Sequence, residues 1–207
     1  VADFRRFRSY NYTDSQDWSY QSPADSLAEL VAPPNGSNLI FVAKHNQRVY
    51  QCLMDLVAGM HMKVHFVPSH NTLRISEVRE GEIVDYNLDL LSDSVKRLFF
   101  YSAILITARK SVLVLDEPDV HAFPPFPKRL GEQIAADSSN QFFITTHNPY
   151  LLSSIIEKTP RINLSVYVCS RGGDGSTQAR PVSDSQLQEM LELGSDVFFN
   201  LKNFVSA

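Results

Sequence analysis

Apolar and polar positions alternate in three different rhythms along the chain, and the rhythm changes near residue 91. Residues 1–37 are polar with interleaved aromatics, Phe4, Phe7, Tyr10, Tyr12, Trp18 and Tyr20, and they end in the turn-rich run Pro33-Pro34-Asn35-Gly36-Ser37. This reads as an edge strand plus a long loop, with rings that pack on something rather than stay in solvent. A helix is expected to start at Asn38, a residue able to cap it. Leu39, Val42, Ala43, Val49, Tyr50, Leu53, Leu56 and Val57 keep roughly one helical face to about Met60. Three short strands follow at His61–Val67, Thr72–Val78 and Glu82–Leu88. Arg79-Glu80-Gly81 between the last two predicts a hairpin turn, and the alternation of Leu73, Ile75 and Ile83 predicts a half-exposed antiparallel sheet.

From residue 91 helix and strand patterns alternate. Ser92 is placed to cap a helix running to about Ala108. Ser111–Leu115 is a nearly continuous run of Val and Leu, as in a strand buried on both faces. A helix is expected over about Pro127–Ala136, a second buried strand over Gln141–Thr145, and a helix from Pro149, in its first turn, through Ile156. Asn163–Cys169 reads as a third strand. Gly172-Gly173-Asp174-Gly175 turns the chain into Thr177–Val182, and helices over about Asp184–Leu193 and Asp196–Val205 close it. In the first of these, Leu187, Met190, Leu191 and Leu193 face a core, and Asp184, Glu189 and Glu192 face solvent. Such alternation argues an α/β fold with a parallel sheet. The expected division is residues 1–90, a middle segment of aromatic loop, helix and antiparallel strands, and residues 91–207, a parallel-sheet lobe.

Composition narrows the choice. Hydrophobic residues make up 43% and charged residues 20% of the 207 positions, which suits a sizeable buried core. The net charge of −4 comes with scattered Lys and Arg, so no basic stripe points to nucleic acid. No apolar run is long enough to cross a membrane. The two cysteines, Cys52 and Cys169, lack metal-ligand spacing and are expected as buried free thiols in a reducing cytoplasm. The chain begins with Val and shows no signal peptide, so its start is expected to be a cut.

The chemistry concentrates in three stretches. Ser111-Val-Leu-Val-Leu-Asp116-Glu117-Pro118 carries two carboxylates out of a buried strand at its C-terminal end, the edge where ligands bind in open α/β sheets. One carboxylate there can hold the Mg²⁺ of a nucleotide, and a second can polarise an attacking water. The plainer alternative is a strand followed by a solvated acidic turn. Phe142-Phe-Ile-Thr-Thr146-His147-Asn148-Pro149 is another strand ending in a polar cluster, and a neighbouring parallel strand would set His147 on the same edge. Such a histidine can contact a γ-phosphate; alone, it could equally be a surface histidine. Leu91-Ser92-Asp93-Ser94 opens a helix, and helix N-termini favour phosphate, although an ordinary N-cap has the same composition. His61 and His65 are four apart on a stretch read as a strand, with no carboxylate or Cys between them, so they are not taken as metal ligands.

The order of these stretches resembles the C-terminal part of ABC-type ATPases, and among them the SMC/RecF-like and OLD-like AAA ATPases of prokaryotes. In that family the helix start reads Leu-Ser-x-Gly, the strand Asp-Glu-Pro-Glu followed by His-Leu-His-Pro, and the switch Thr-His-Ser-Pro. Here the matching stretches are Leu91-Ser92-Asp93-Ser94, Asp116-Glu117-Pro118-Asp119, His121-Ala122-Phe123-Pro124 and Thr146-His147-Asn148-Pro149. Asn35-Gly36-Ser37-Asn38-Leu39 is similar to the family's Asp-Gly-Ser-Asn-Leu turn. The resemblance covers about residues 35–205 and is specific from 91 to 149. It implies the fold of an ABC-ATPase C-terminal lobe, with a small antiparallel β/helical segment on its N-terminal side. It implies ATP and Mg²⁺ as cofactors, Asp116 as the Walker B metal residue, Glu117 as the catalytic base and His147 as the switch histidine. Asp119–His121 would be the D-loop region. Ser92, Asp93 and Ser94 would face ATP held on a second subunit, because the family sandwiches two ATP molecules in a head-to-tail dimer.

The sequence departs from that pattern in three places. Ser94 stands at the signature Gly, where a Cβ narrows the approach of phosphate, so the signature is expected to be altered. Phe123 replaces the second His of the usual pair. None of the eight glycines is followed by Lys, so the P-loop, Gly-x4-Gly-Lys-Ser/Thr, is not in these 207 residues. The reading is therefore an ATPase lobe that works with a P-loop-bearing segment or subunit as a cytoplasmic homodimer. A non-catalytic module pairing with such a partner, and an ATPase component that serves a nucleic acid or defence effector, stand as alternatives.

Overall fold

The computed structural model describes residues 6–13, 18, 20 and 29–205; Phe4 lies outside them. Its sheet core is three parallel strands in the order β1 (Arg6–Tyr10), β5 (Ser111–Asp116), β6 (Gln141–Thr145). The antiparallel strands β2 (Lys63–Val67), β3 (Thr72–Arg79) and β4 (Glu82–Asn87) form a second sheet in that order. The β3–β4 turn has positive φ at both Glu80 (52°) and Gly81 (87°), the backbone that a two-residue hairpin turn requires.

One core joins the elements from Tyr10 to Leu151. Leu113 and Leu115 of β5 project into it, and helix α3 (Asp93–Thr107) adds Phe99, Phe100, Tyr101 and Ile104. Tyr10 and Tyr12 meet the Phe100 ring edge-on, and Trp18 meets Phe99, so these N-terminal aromatics do pack on something. Phe7 is the exception. Alternation puts it, with Val112, Val114 and Phe143, on the opposite face of the sheet. There Phe7 is 73% exposed and Phe143 54% exposed.

The helices that place the motif edge are short and tightly packed. Helix α4 (Pro125–Ala136) lies against α5 (Pro149–Lys158). A Cβ on Gly131 would come 2.7 Å from the Ser154 Cβ, so the glycine is what lets these two helices approach. Asn148 caps α5, its side chain accepting from the Tyr150 and Leu151 amides. The C-terminal part is a satellite with its own small core around Ile156, Val168, Leu187 and Met190. It is built from the hairpin β7 (Tyr167–Arg171) and β8 (Thr177–Pro181), helix α6 (Asp184–Leu193), a 3-10 stretch Gly194–Asn200 and helix α7 (Lys202–Val205).

Six local expectations are corrected. The helix expected from Asn38 to Met60 is two, α1 (Leu39–His45) and α2 (Gln47–Ala58). Asn38 does not cap α1 with its side chain, which instead accepts from the Ala32 amide and donates to the Leu30 carbonyl. Asn46, in an extended conformation, breaks the helix and caps α2 through the Arg48 and Val49 amides. The strand β6 is not buried on both faces; its residues alternate between exposed and half-buried. The strand expected at Asn163–Cys169 begins only at Tyr167, and it pairs antiparallel with β8 across the expected Gly172–Gly175 hairpin turn. Cys169 is exposed while Cys52 is buried, because on β7 the alternation turns Val168 inward. The last helix, expected from Asp196, is mostly 3-10.

Leu113 is fully buried at the centre of the sheet. Leu113→Ala is expected to lower unfolding free energy by about 3 kcal/mol through lost burial and a residual cavity. Ile83→Ala, at a side chain 76% exposed, should stay within about 0.5 kcal/mol. Urea unfolding of both variants checks the pair.

Candidate functional site

The β5–β6 register decides which polar groups meet. Parallel pairing sets Leu115 beside Ile144 and Asp116 beside Thr145, so both strands end at the same height. The Thr145 hydroxyl donates to Asp116 Oδ1 in a short hydrogen bond. It also accepts from the Glu117 amide at 3.0 Å, and that amide reaches the Thr145 carbonyl at 3.1 Å. Glu117 has φ +42°, a left-handed conformation that non-glycine residues resist. The turn sends its carboxylate toward β6, where Glu117 Oε1 lies 3.1 Å from His147 Nε2. The His147 side chain is 81% exposed and that of Glu117 41%, so both are open to a ligand from solvent. Phe198 of the C-terminal part stands 6.2 Å from the imidazole, centroid to centroid.

Asp119 is held differently. It is 5% exposed, its Oδ2 accepts from the Thr146 hydroxyl at 3.0 Å, and its Oδ1 is buried with no hydrogen-bond partner. Burial pushes its carboxyl above the ordinary value, and the neighbouring Glu117 charge adds to this; the Thr146 hydroxyl and His147 pull the other way. Thr146 also accepts from the Asn148 amide at 2.9 Å, which ties Asp119 to the start of α5. His121, at φ +58°, is exposed at the end of the same loop.

The start of α3 faces this loop. Ser92 occupies the N-cap position and makes no side-chain cap bond. Asp93 is turned inward rather than toward a ligand: Arg97 Nε donates to it at 2.8 Å and the Tyr12 hydroxyl at 2.7 Å. Burial alone would raise the Asp93 carboxyl, but these two bonds and the Arg97 charge hold it below the ordinary range. The Arg97 guanidinium also stacks 4.4 Å from the Tyr12 ring centroid. The Ser94 hydroxyl donates to the His121 carbonyl at 3.2 Å and accepts from the Phe123 amide at 3.0 Å.

Asp116, Glu117, Asp119 and His147 are thus brought to one edge, and Ser94 and His121 meet beside it. Asp93 is drawn into a structural clamp. Thr145 was not singled out in the sequence, although a hydroxyl before Thr146-His147 is its one visible signal. Among the described residues no set of three or more His, Cys, Asp or Glu side chains forms a metal cage. Asp116 alone still suits Mg²⁺, which is held by one or two carboxylates with water and nucleotide phosphates supplying the other oxygens. His61 is in a left-handed turn, and His65 pairs with Asp85 at 3.4 Å, so neither joins the site. A cleft of about 580 Å³ lies at the other end of the parallel strands, lined by Arg6, Arg8, Arg109 and His45, away from this edge. No helix among the described residues is long and apolar enough to cross a membrane.

The Asp119 carboxyl gives a pH test. A folded value raised above the unfolded one means the folded state binds the proton more tightly. Its contribution to stability is then full at acid pH and is lost as pH rises through the folded value. Relative to wild type, Asp119→Asn should gain stability as pH rises from about 3 to 7. Urea midpoints across that range check the sign.

No curated protein matches the chain. A solved structure described as "Structural biochemistry of ATP-driven dimerization and DNA stimulated activation of SMC ATPases" is 16% identical, with a TM-score of 0.48, over 72% of this chain and 92% of that one. Another, "Crystal structure of the SmcHead bound to the C-winged helix domain of ScpA", is 14% identical with a TM-score of 0.50. It matches 83% of this chain but 54% of its own, so the present chain spans about half of that SMC head and shares its fold. The family model described as "AAA domain, putative AbiEii toxin, Type IV TA system" matches residues 6–153, which include all three motif stretches. The chain belongs to this family of AAA domains.

Proposed function

We propose that the chain supplies the Walker B and switch half of an ATP-hydrolysing domain that acts as an ATP-sandwich dimer. The observation that carries this reading is the meeting of Glu117 Oε1 and His147 Nε2 at 3.1 Å beside Asp116, on the C-terminal edge of a parallel sheet. Asp116 is the residue to hold Mg²⁺, which would polarise the terminal phosphate. Glu117 is the general base that takes the proton of the attacking water, and a carboxylate within reach of such a water is the geometry that step needs. His147, open to solvent with its Nε2 3.1 Å from Glu117 Oε1, orients that carboxylate and reaches toward the γ-phosphate. Ser92, Ser94, Asp119 and His121 lie on the side that would face a second copy.

The sheet supports a partner for this half. Parallel sheets are normally covered on both faces. Here, among the described residues, β6 pairs only with β5, and Phe7 and Phe143 lie open on the uncovered face. A P-loop-bearing segment, on this polypeptide or another, would add a strand at the β6 edge and lay its helix over these rings. That would bring the phosphate-binding loop beside His147.

A second reading, a non-catalytic module that pairs with a P-loop partner, is favoured by one observation: the Ser94 hydroxyl is engaged within its own chain. Service to a nucleic acid or defence effector remains a proposal on family grounds alone.

The chain by itself is expected to bind ATP poorly, because the lysine and backbone cradle for the β- and γ-phosphates are elsewhere. Submicromolar affinity in calorimetry would sink this. Assembled with its P-loop segment, Glu117→Gln should slow hydrolysis by about 10²–10⁴-fold while leaving nucleotide affinity intact. Unchanged turnover would remove Glu117 from the role of base and favour the non-catalytic module.

A further inference from the structure

Ser94 stands where the resembled signature carries Gly, and its side chain makes two bonds that Gly could not. The hydroxyl donates to the His121 carbonyl at 3.2 Å and accepts from the Phe123 amide at 3.0 Å. Both partners belong to residues 117–124, the loop between β5 and α4. This loop holds two non-glycine residues at positive φ, Glu117 at 42° and His121 at 58°. Such conformations persist only where the surroundings over-determine them. The anchors here come from two sides. From the β6 end, Thr145 holds the Glu117 amide and Thr146 holds the Asp119 carboxylate. From α3, Ser94 holds His121 and Phe123. The strained stretch from Glu117 to His121 is thereby fastened at both ends.

We propose that Ser94 is a positioning residue for Glu117, clipping the loop to the start of α3 so that the strained backbone keeps the carboxylate beside His147. The proposal deepens the ATPase reading and rests on Glu117 being the general base. A serine hydroxyl carries a single proton. While that proton goes to the His121 carbonyl, Ser94 has none to give to a phosphate oxygen. In this chain the residue at the signature position therefore acts inward, on the chain's own catalytic loop, and contact with a nucleotide across a dimer has to fall to Ser92 and backbone amides or wait until the clip opens.

The test compares wild type with Ser94→Ala, Ser94→Gly and Ser94→Thr in the protein assembled with its P-loop segment. Backbone hydrogen exchange over residues 117–126 is read by mass spectrometry, with kcat and KM for ATP alongside. The Ala and Gly variants should exchange about tenfold faster in this segment, the size expected from losing one hydrogen-bonding group, while β5 and β6 stay protected. Their kcat should fall about tenfold with KM unchanged, as a small misplacement of a reacting group produces. Ser94→Thr, which keeps the hydroxyl, should match wild type in both. Unchanged exchange in Ala and Gly overturns the clip. Faster exchange with unchanged kcat overturns the positioning role, and so does loosening that spreads into β5 and β6. Absence of ATP turnover in the wild-type assembly sinks the ATPase reading instead, and the exchange data then decide the clip on their own.

Discussion

The parallel register of β5 against β6 is the constraint on which the rest of the molecule depends. It is pinned at both ends. At the start of the strands, Asn140 accepts from the Ser111 amide at 3.0 Å and donates to the Ala108 carbonyl at 3.1 Å. At the finish, Thr145 bonds Asp116 and the Glu117 amide. A slip of one residue would reverse every side chain of β6. Phe142 and Ile144 would leave the core and Phe143 would enter it. The same slip would take Thr145 away from Asp116 and His147 away from Glu117. Packing and chemistry are therefore set by one choice, and the burial of Leu113 and Leu115 indirectly holds the carboxylates in place.

Two consecutive hydroxyls manage the negative charge at this edge. Thr145 serves Asp116, and Thr146 serves Asp119. Three carboxylates within four residues would repel one another, and no Lys or Arg forms an ion pair with them among the described residues. Neutral donors steady them without cancelling the charge, which leaves the edge attractive to a cation. Burial of Asp119 and exposure of Glu117 also give two carboxylates on one loop different environments. One is structural, tied into the start of α5, and the other is open to solvent.

Among the described residues the parallel sheet is covered on one face only. Leu113, Leu115 and Tyr10 lie in a dry core under α3, whereas Phe7, Val112, Val114 and Phe143 line the opposite face. Exposed edges and apolar faces of this kind invite pairing with another segment. This one-sidedness and the lack of a phosphate loop in the sequence both fit the proposal that a further segment completes the site. The C-terminal satellite reaches the motif edge through Phe198, 6.2 Å from the His147 imidazole.

The sequence by itself determined the elements and the chemistry at their ends. Strand β6, the β3–β4 turn and α6 were legible because apolar period, cap residues and turn residues act within a few positions. Asp116, Glu117 and His147 were legible because carboxylates and a histidine that follow two adjacent parallel strands must share an edge. Even some local signals were outcompeted: Asn38 was read as a cap, but its side chain found better partners in the preceding loop, and Asn46 broke the helix instead. Only the tertiary structure decided what faces what. It drew Asp93 to Tyr12, 81 residues away, turned Cys169 outward and left β6 half-exposed. Nor could spacing show that Ser94 reaches His121 and Phe123. Those outcomes depend on which distant surfaces compete for each side chain, and a linear pattern does not contain that competition.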